Sequence, residues 1–275
     1  MLDHSTLFNI QGQTAVITGG SGGLGSIMSR ALAKAGARVA VISLHDTSSG
    51  KVVETIRADG GEAIGIACDV MDRAALEKAR EEILRSFGSI DILINAAGGN
   101  QPGATTSQEV SFFDLDRQAV DRVFDLNFVG TFLSCQVFGR SMVEQGHGCM
   151  VNIASMNALR PLTRIPAYSA AKAAVANFTQ WLAVHMAQEY SSQIRVNAIS
   201  PGFFLTEQNR FLLTEAETGG MTQRGQTILN HTPMGRLGTP EDLIGALLWL
   251  VSPASAFVTG VVIPVDGGFS SFSGV

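Results

Sequence analysis

The chain has 275 residues, of which 45% are hydrophobic and 16% are charged, so it can bury a substantial core within one domain of ordinary size. Its net charge of -5 argues against a nucleic-acid-binding surface, which requires a basic face. The three cysteines (Cys68, Cys135 and Cys149) lack C-x-x-C spacing, so the sequence indicates neither a zinc site nor a disulfide framework.

The first residues contain no basic segment followed by an apolar one and do not resemble a secretion signal. The densest late apolar run, residues 246–251, is far too short to span a bilayer. The histidines His147, His185 and His231 show no metal-ligand pairing. We therefore expect a cytoplasmic protein with no membrane, nucleic-acid or metal partner.

A strand, a glycine-rich loop and a helix are predicted in succession near the start of the chain. Residues 14–18 are apolar and β-rich, and apolar residues with a helical period end at Gly36. Glycines let the backbone approach a pyrophosphate, whose charge the helix N-terminus stabilises. A flexible turn is the alternative, but the flanking strand and helix favour phosphate binding. The loop residues expected at the phosphates are Gly19, Ser21, Gly23, Leu24 and Gly25.

The alternation of strands and helices continues along the chain. Because the strands are almost continuously apolar, they predict a parallel sheet that helices cover on both faces. The fold class is therefore α/β, a doubly wound parallel sheet (Rossmann fold) in a single domain over residues 1–275. Predicted strands cover residues 38–43, 63–67 and 90–94, and predicted helices cover residues 51–58 and 73–87.

Candidate binding residues follow the carboxyl ends of the predicted strands, where doubly wound sheets bind their ligands. We expect these residues to converge on one site. They are Asp69 and Val70 after the third strand, Asn95, Ala96 and Gly98 after the fourth, Ser155 after the fifth, and Pro201 and Gly202 after the sixth.

Tyr168 and Lys172 are four residues apart in a predicted helix, which places the phenol and the ammonium on one face. The ordinary pKa of a tyrosine is near ~10, and a fixed positive neighbour favours the phenolate. Ser155 ends an apolar strand over residues 150–154 and could hydrogen-bond a substrate oxygen beside the tyrosine. The spacing alone is common in long helices, where it is usually a surface pair.

The complete motif set resembles that of the short-chain dehydrogenase/reductase family. The match runs in order from about residue 10 to residue 268 and includes the segments Thr18-Gly-x-x-x-Gly23-x-Gly25, Asn95-Ala-Ala-Gly98, Asn127, Ser155, Tyr168-x-x-x-Lys172 and Pro201-Gly202 with Thr206. The resemblance implies hydride transfer with NAD(P), which the cofactor itself carries out. It implies that Tyr168 is the general acid/base and that Ser155 orients the carbonyl.

The same resemblance implies roles for five further residues. Lys172 would lower the pKa of Tyr168 and hold the nicotinamide ribose, and Asn127 would keep a water for proton relay. Asp69 would bind the adenine amino group, Asn95 would support the adenosine side, and Thr206 would hold the carboxamide.

The choice between NAD and NADP depends on the end of the second strand, where an acidic residue binds the ribose and an arginine binds a 2'-phosphate. Ser43 and His45 are expected near the cofactor there. Asp46 could be the ribose ligand or the N-cap of the next helix. Alternatively, His45, Ser48 and Lys51 could form a mild phosphate pocket. We favour NAD(H) over NADP(H).

Three segments are expected to cover the active site: residues 98–106 with Asn100, the loop between Ser155 and Tyr168, and residues 203–236, which could close as a lid. Guanidinium groups bind carboxylates in a bidentate manner, so arginines beside the tyrosine suit an acid. The alternative is that they are solvated or pair across a subunit contact. The candidate substrate residues are Asn100, Asn157, Arg160 and Arg164.

Within this family, residues 112–116, 157–168, 177–183, 201–206 and 231–235 resemble the bacterial D-mannonate oxidoreductases (D-fructuronate reductases). This resemblance implies reversible conversion of D-mannonate to D-fructuronate, usually with NAD(H). A reductase of 5-keto-D-gluconate or of a 3-oxoacyl thioester is the alternative enzyme. A non-enzymatic dinucleotide sensor is the alternative of another class.

The predicted helices around residues 117–145 and 166–190 have long apolar faces. These faces exceed what one sheet can cover, so we expect a homodimer or a homotetramer.

Overall fold

A computed structural model describes residues 4–206, 210–215 and 218–274. Seven parallel strands form one sheet in the order β3-β2-β1-β4-β5-β6-β7. The strand order reverses between β1 and β4, as a doubly wound sheet requires. The strands are β1 (Thr14–Thr18), β2 (Arg38–Ser43), β3 (Ala63–Ala67), β4 (Ile92–Asn95), β5 (Gly148–Ile153), β6 (Ile194–Pro201) and β7 (Val262–Val265). The predicted α/β fold is confirmed.

Helices cover both faces of the sheet. On one face the core includes Leu32, Ile56 and Leu247, and on the other it includes Ile83 and Phe138. The inner strands are buried on both faces, which explains their continuous apolar runs. The helices are α1 (His4–Leu7), α2 (Gly23–Lys34), α3 (Asp46–Ala58), α4 (Arg73–Phe87), α5 (Arg117–Phe124), α6 (Gly130–Gln145), α7 (Pro166–Glu189), α8 (Arg210–Leu213), α9 (Gln223–Asn230) and α10 (Ile244–Val251).

The structure extends one predicted helix and interrupts another. Helix α3 begins at Asp46 and includes the predicted residues 51–58, so its first turn adjoins the end of β2. The helix expected around residues 117–145 is interrupted by a π-helical turn, Asp125–Val129, between α5 and α6. An extra residue in one turn leaves the apolar pattern on either side intact, so periodicity does not reveal it.

In the part of the chain that the structure describes, no helix combines the length and apolar character needed to cross a membrane. The three cysteines are buried and unpaired with one another. Burial raises the pKa of the Cys135 thiol to about 12, although a hydrogen bond from Asn95 acts in the opposite direction. These thiols are therefore packing groups of the interior.

Candidate active site

A cleft of about 680 Å³ lies at the carboxyl ends of the strands, where the order reverses. The predicted segments from β1, β3, β4, β5 and β6 all reach it. Of the residues expected at the cofactor and the reacting carbon, the cleft is lined by Gly19, Ser21, Gly23, Leu24, Gly25, Ser43, Asp69, Val70, Ala96, Gly98, Ser155, Tyr168, Lys172, Pro201, Gly202 and Thr206. His45, Asn95, Asn100, Asn127, Asn157, Arg160 and Arg164 do not line it.

The glycine loop leaves space that side chains would fill. Gly19 has a φ of 63°, and a Cβ there would lie 2.7 Å from the backbone of Ala97. A Cβ on Gly25 would lie 2.1 Å from the Gly19 carbonyl oxygen. The N-cap of α2 is Gly22, which has no side chain to cap the first amides of the helix. This cradle fits the pyrophosphate of a dinucleotide.

The ends of β2 and β3 border the opposite part of the cleft. The Ser43 hydroxyl donates to the His45 carbonyl (2.9 Å), and the Asp69 carboxylate accepts from the Met71 amide (2.9 Å). His45 occupies the N-cap position of α3, and Asp46 is its first helical residue. Both His45 and Asp46 are exposed outside the cleft.

Tyr168 and Lys172 lie in the first two turns of α7, which begins at Pro166. Proline suits this position because its missing amide hydrogen would have no helical partner. The Lys172 ammonium donates to the Ile153 carbonyl (2.7 Å) and lies 5.7 Å from the Tyr168 ring centroid. Burial lowers the pKa of Lys172 to about 8, because water no longer solvates the charged form.

The hydroxyl of Tyr168 is hydrogen-bonded with Ser155. Burial raises the pKa of Tyr168, and the bond with Ser155 lowers it by less. This differs from the expectation that Lys172 lowers the tyrosine's pKa. The Lys172 ammonium is directed at the Ile153 carbonyl of β5. Desolvation of the phenolate is therefore the largest effect on the pKa of Tyr168.

Asn157 hydrogen-bonds to Ser155 and is not among the residues that line the cleft. Its amide nitrogen Nδ2 and its backbone N–H each lie 3.3 Å from the Ser155 hydroxyl oxygen and donate to it. Its Oδ1 accepts from the Leu162 amide (3.0 Å) and from the Ser169 hydroxyl (3.4 Å). Because the Ser155 oxygen already accepts these donors, its own hydrogen remains for Tyr168 or a substrate oxygen.

Asn127 lies in the π-helical turn and is fully buried. Its Nδ2 donates to the carbonyls of Gly99 and Val123 (both 2.7 Å), and its Oδ1 accepts from the Gly99 amide (3.2 Å). A Cβ on Gly98 would lie 2.6 Å from this Oδ1 and 3.2 Å from the Lys172 ammonium. A side chain at position 98 would therefore displace the Asn127 amide from its place beside this loop.

Asn95 lies inside the sheet. Its Nδ2 donates to Asn152 Oδ1 (2.9 Å) and to Cys135 Sγ (3.2 Å). Asn152 in turn donates to the Thr179 hydroxyl of α7 (2.9 Å). This buried network joins β4 and β5 to the helix that carries Tyr168.

The predicted substrate residues lie in different places. Asn100 donates to the Thr105 hydroxyl (2.8 Å), and Arg160 donates to the Ser270 carbonyl (3.1 Å). Arg164 lines a separate cavity, which also contains Arg224 and His231 of the segment over residues 203–236. Residues 207–209 and 216–217 of that segment lie outside the described residues. Sequence reasoning gave Arg224 and His231 no role, because no spacing relates them to Tyr168.

Comparison with known proteins agrees with this geometry. A family model described as "Enoyl-(Acyl carrier protein) reductase" matches residues 19–270. The uncharacterized oxidoreductase UxuB of Bacillus subtilis (strain 168) is 50% identical over 276 residues, which are 97% of this chain and 98% of that protein. The chain belongs to the short-chain dehydrogenase/reductase family. It is an NAD(P)-dependent dehydrogenase.

Solved relatives of this chain include one with bound NAD and one with bound NADP. A Haemophilus influenza structure described as "a putative D-Mannonate oxidoreductase" with bound NAD has a TM-score of 0.91 and 45% identity, and the match covers 97% of this chain and 98% of that one. A gluconate 5-dehydrogenase from Burkholderia cenocepacia, in complex with NADP and tartrate, has a TM-score of 0.86 and 30% identity, with coverages of 97% and 98%.

Proposed function

We propose that the protein interconverts a secondary alcohol and a ketone of a sugar acid with NAD(H), and that D-mannonate and D-fructuronate are its substrate pair. The observation that carries the proposal is the convergence of Ser155, Tyr168 and Lys172 on one cleft. The likeness to the Haemophilus protein supports the choice of substrate.

The side chains have complementary roles in this proposal. A bound nicotinamide supplies or accepts the hydride. During reduction, the Tyr168 hydroxyl donates its proton to the developing alkoxide, and the Ser155 hydroxyl donates a hydrogen bond to the same oxygen. During oxidation, the Tyr168 phenolate accepts the proton of the substrate hydroxyl. Lys172 and a water kept by Asn127, on either side of Gly98, would return the proton to Tyr168.

The remaining cofactor contacts follow from the lining of the cleft. The glycine loop and the first turn of α2 would bind the pyrophosphate. Asp69 would accept from the adenine amino group, and Thr206 would hold the carboxamide. Asn95 would act indirectly, by fixing the end of β4.

The lining also favours NAD(H) over NADP(H). Among the described residues of the cleft, Lys172 is the one cationic side chain, and it lies beside Tyr168. No arginine accompanies Ser43 and Leu44 at the end of β2. A 2'-phosphate would therefore have no cationic partner there.

The first experiment follows the loss of reduced-nicotinamide absorbance with D-fructuronate, using NADH and NADPH in parallel. The Tyr168→Phe variant should bind the cofactor as the parent does, while its turnover falls by about 10²-fold to 10⁴-fold. A variant that turns over as fast as the parent would show that Tyr168 is not the acid/base.

The competing substrates are tested in the same assay. Turnover of 5-keto-D-gluconate alone would indicate the activity named for the Burkholderia neighbour. Turnover of a 3-oxoacyl thioester alone would indicate an acyl substrate. Cofactor binding with no turnover of any of these would favour a dinucleotide sensor.

A homodimer or homotetramer is part of the proposal. Trp181, Val184 and Tyr190, on and just beyond the end of α7, expose more than half of their surface. A second copy of the chain would cover this apolar face. Light scattering should give two or four times the mass of 29.0 kDa; a monomeric mass would contradict this part of the proposal.

A further inference from the structure

A second, open cavity of about 700 Å³ lies between the loop that precedes α7 and helix α9. Its walls include Leu162, Phe203 and Phe269. Its charged or titratable lining residues are Arg164, Arg224 and His231, and none of the described lining residues is acidic. The cavity therefore has positive charge and apolar walls.

The two arginines have no carboxylate partner among the described residues, because neither belongs to an ion pair there. Elsewhere, Arg236 is paired with Asp242 (2.6 Å) and Arg80 with Glu144 (3.0 Å). Arg164 and Arg224 thus keep guanidinium donors for a ligand, and a carboxylate is the group that matches their planar geometry.

Arg164 has an unusual backbone conformation. Its φ is 76°, and no other non-glycine residue in the described part of the chain has a positive φ. Its carbonyl accepts from the Thr106 amide (2.8 Å), which ties this loop to the segment over residues 98–106. Strained backbone of this kind persists where the surrounding structure holds it, and such sites are concentrated at functional clefts.

His231 is held in one orientation. Its Nδ1 lies 2.8 Å from the Thr227 carbonyl, which can only accept, so Nδ1 carries the hydrogen. In the neutral ring Nε2 is then an acceptor. A hydroxyl is the donor that suits it, so the cavity offers both carboxylate and hydroxyl partners.

The cavity adjoins the catalytic cleft through one loop. Arg164 precedes Tyr168 by four residues, so their Cα atoms lie within about 14 Å. In D-fructuronate, three hydroxyl-bearing carbons separate the ketone from the carboxylate. Phe203 lines this cavity and Phe204 lines the cleft, so the two spaces are neighbours, and the Arg164 guanidinium must bridge the remaining distance to the carboxylate of a substrate whose ketone lies at Tyr168.

We propose that Arg164 and Arg224 bind the carboxylate of the substrate and that His231 binds a neighbouring hydroxyl. The inference rests on the proposed function, since it names the group of the sugar acid that selects it. It assigns a specificity role to α9, which is distant in sequence from the catalytic residues.

The test compares D-fructuronate with D-fructose, which has a hydroxymethyl group in place of the carboxylate. Arg164→Gln and Arg224→Gln should each raise the KM for D-fructuronate by about 10-fold to 100-fold. The rate with D-fructose, relative to the parent, should not fall. Arg85→Gln is the matched control, because it removes an exposed guanidinium of α4 that lines neither cavity.

Binding is measured separately by titrating D-mannonate into the protein with saturating NADH. The parent and Arg85→Gln should bind equally, and the two cavity variants should bind about 10-fold to 100-fold more weakly. Equal binding by all four proteins, or no binding by the parent, would overturn the inference. Binding that depends on both arginines without any turnover would retain the inference and refute the proposed function. Turnover of D-fructuronate that neither arginine substitution changes would refute the inference and retain the proposed function.

Discussion

Replacing Lys172 by methionine should stabilise the cofactor-free protein while it abolishes function. Lys172 is only 4% exposed, and burial lowers its pKa from 10.5 to about 8. At about 1.4 kcal/mol for each pH unit, the buried charge destabilises the fold by about 3 kcal/mol at pH 7. Methionine removes this cost but loses the hydrogen bond to Ile153, worth about 1 kcal/mol. The net gain is about 2 kcal/mol.

The gain should depend on pH in a defined direction. Below about pH 8, Lys172 is charged in both the folded and the unfolded chain, so the full cost is present. Between about pH 8 and 10.5, the unfolded chain keeps the proton that the folded protein has released, and the parent regains stability. Above 10.5 the cost is absent, and the variant should be less stable than the parent by about 1 kcal/mol.

Urea unfolding without cofactor at pH 7 and at pH 10.5 measures both differences in the free energy of unfolding. Lys78→Met is the control, because Lys78 is exposed on α4 and its side chain forms no hydrogen bond or ion pair with another described residue. The reasoning is refuted if Lys172→Met is less stable than the parent at pH 7, or if its gain is the same at both pH values.

Three further substitutions test the cofactor cradle, the serine and the ribose end. Gly25→Ala places a Cβ 2.1 Å from the Gly19 carbonyl oxygen, so cofactor affinity should fall and stability should drop by about 1–3 kcal/mol. Asn157→Leu removes the Nδ2 donor from the Ser155 oxygen and leaves only the backbone N–H, so kcat should fall by about 10-fold with an unchanged dissociation constant for NADH. Leu44→Arg, at a position that is 61% exposed beside the cleft, should raise kcat/KM for NADPH by about 10-fold.

Gly25→Ala and Leu44→Arg each have a control variant, and all three substitutions have a result that would contradict the reasoning. Gly50→Ala, where no atom lies within 4 Å of the new Cβ, should leave cofactor binding intact. Retained NADH affinity in Gly25→Ala would contradict the cradle, and an unchanged kcat in Asn157→Leu would contradict the role of that amide. Leu44→Gln should show no preference for NADPH; if Leu44→Arg also shows none, the 2'-phosphate lies elsewhere.

Most of the fold could be predicted from the sequence because its strands are buried on both faces and therefore read as apolar runs. The predicted strands over residues 14–18, 38–43 and 63–67 coincide with β1, β2 and β3. No strand was predicted over β7, although its residues are apolar, and Pro264 within that run is typical of an edge strand, which is where β7 lies. A strand that is buried on both faces can therefore be predicted from its continuous apolar run.

The candidate site was predictable only where local spacing determines geometry. Tyr168 and Lys172 share a helix, and the strand ends meet because parallel strands end at one edge. The orientation of a side chain in a loop follows no such rule. Asn157 hydrogen-bonds to Ser155, whereas Arg160 of the same loop donates to the distant Ser270. The sequence therefore does not predict which side chains of this loop face the cleft.

The π-helical turn that contains Asn127 lets the helices on either side of it, α5 and α6, pack against different parts of the molecule. One additional residue rotates everything after it by about 100° relative to a regular α-helix. Helix α5 can therefore present its buried face to the loop over residues 98–106, while α6 presents its own to the sheet. A substitution on the buried face of α5 would therefore change the packing of the loop over residues 98–106 without changing the packing of α6 on the sheet.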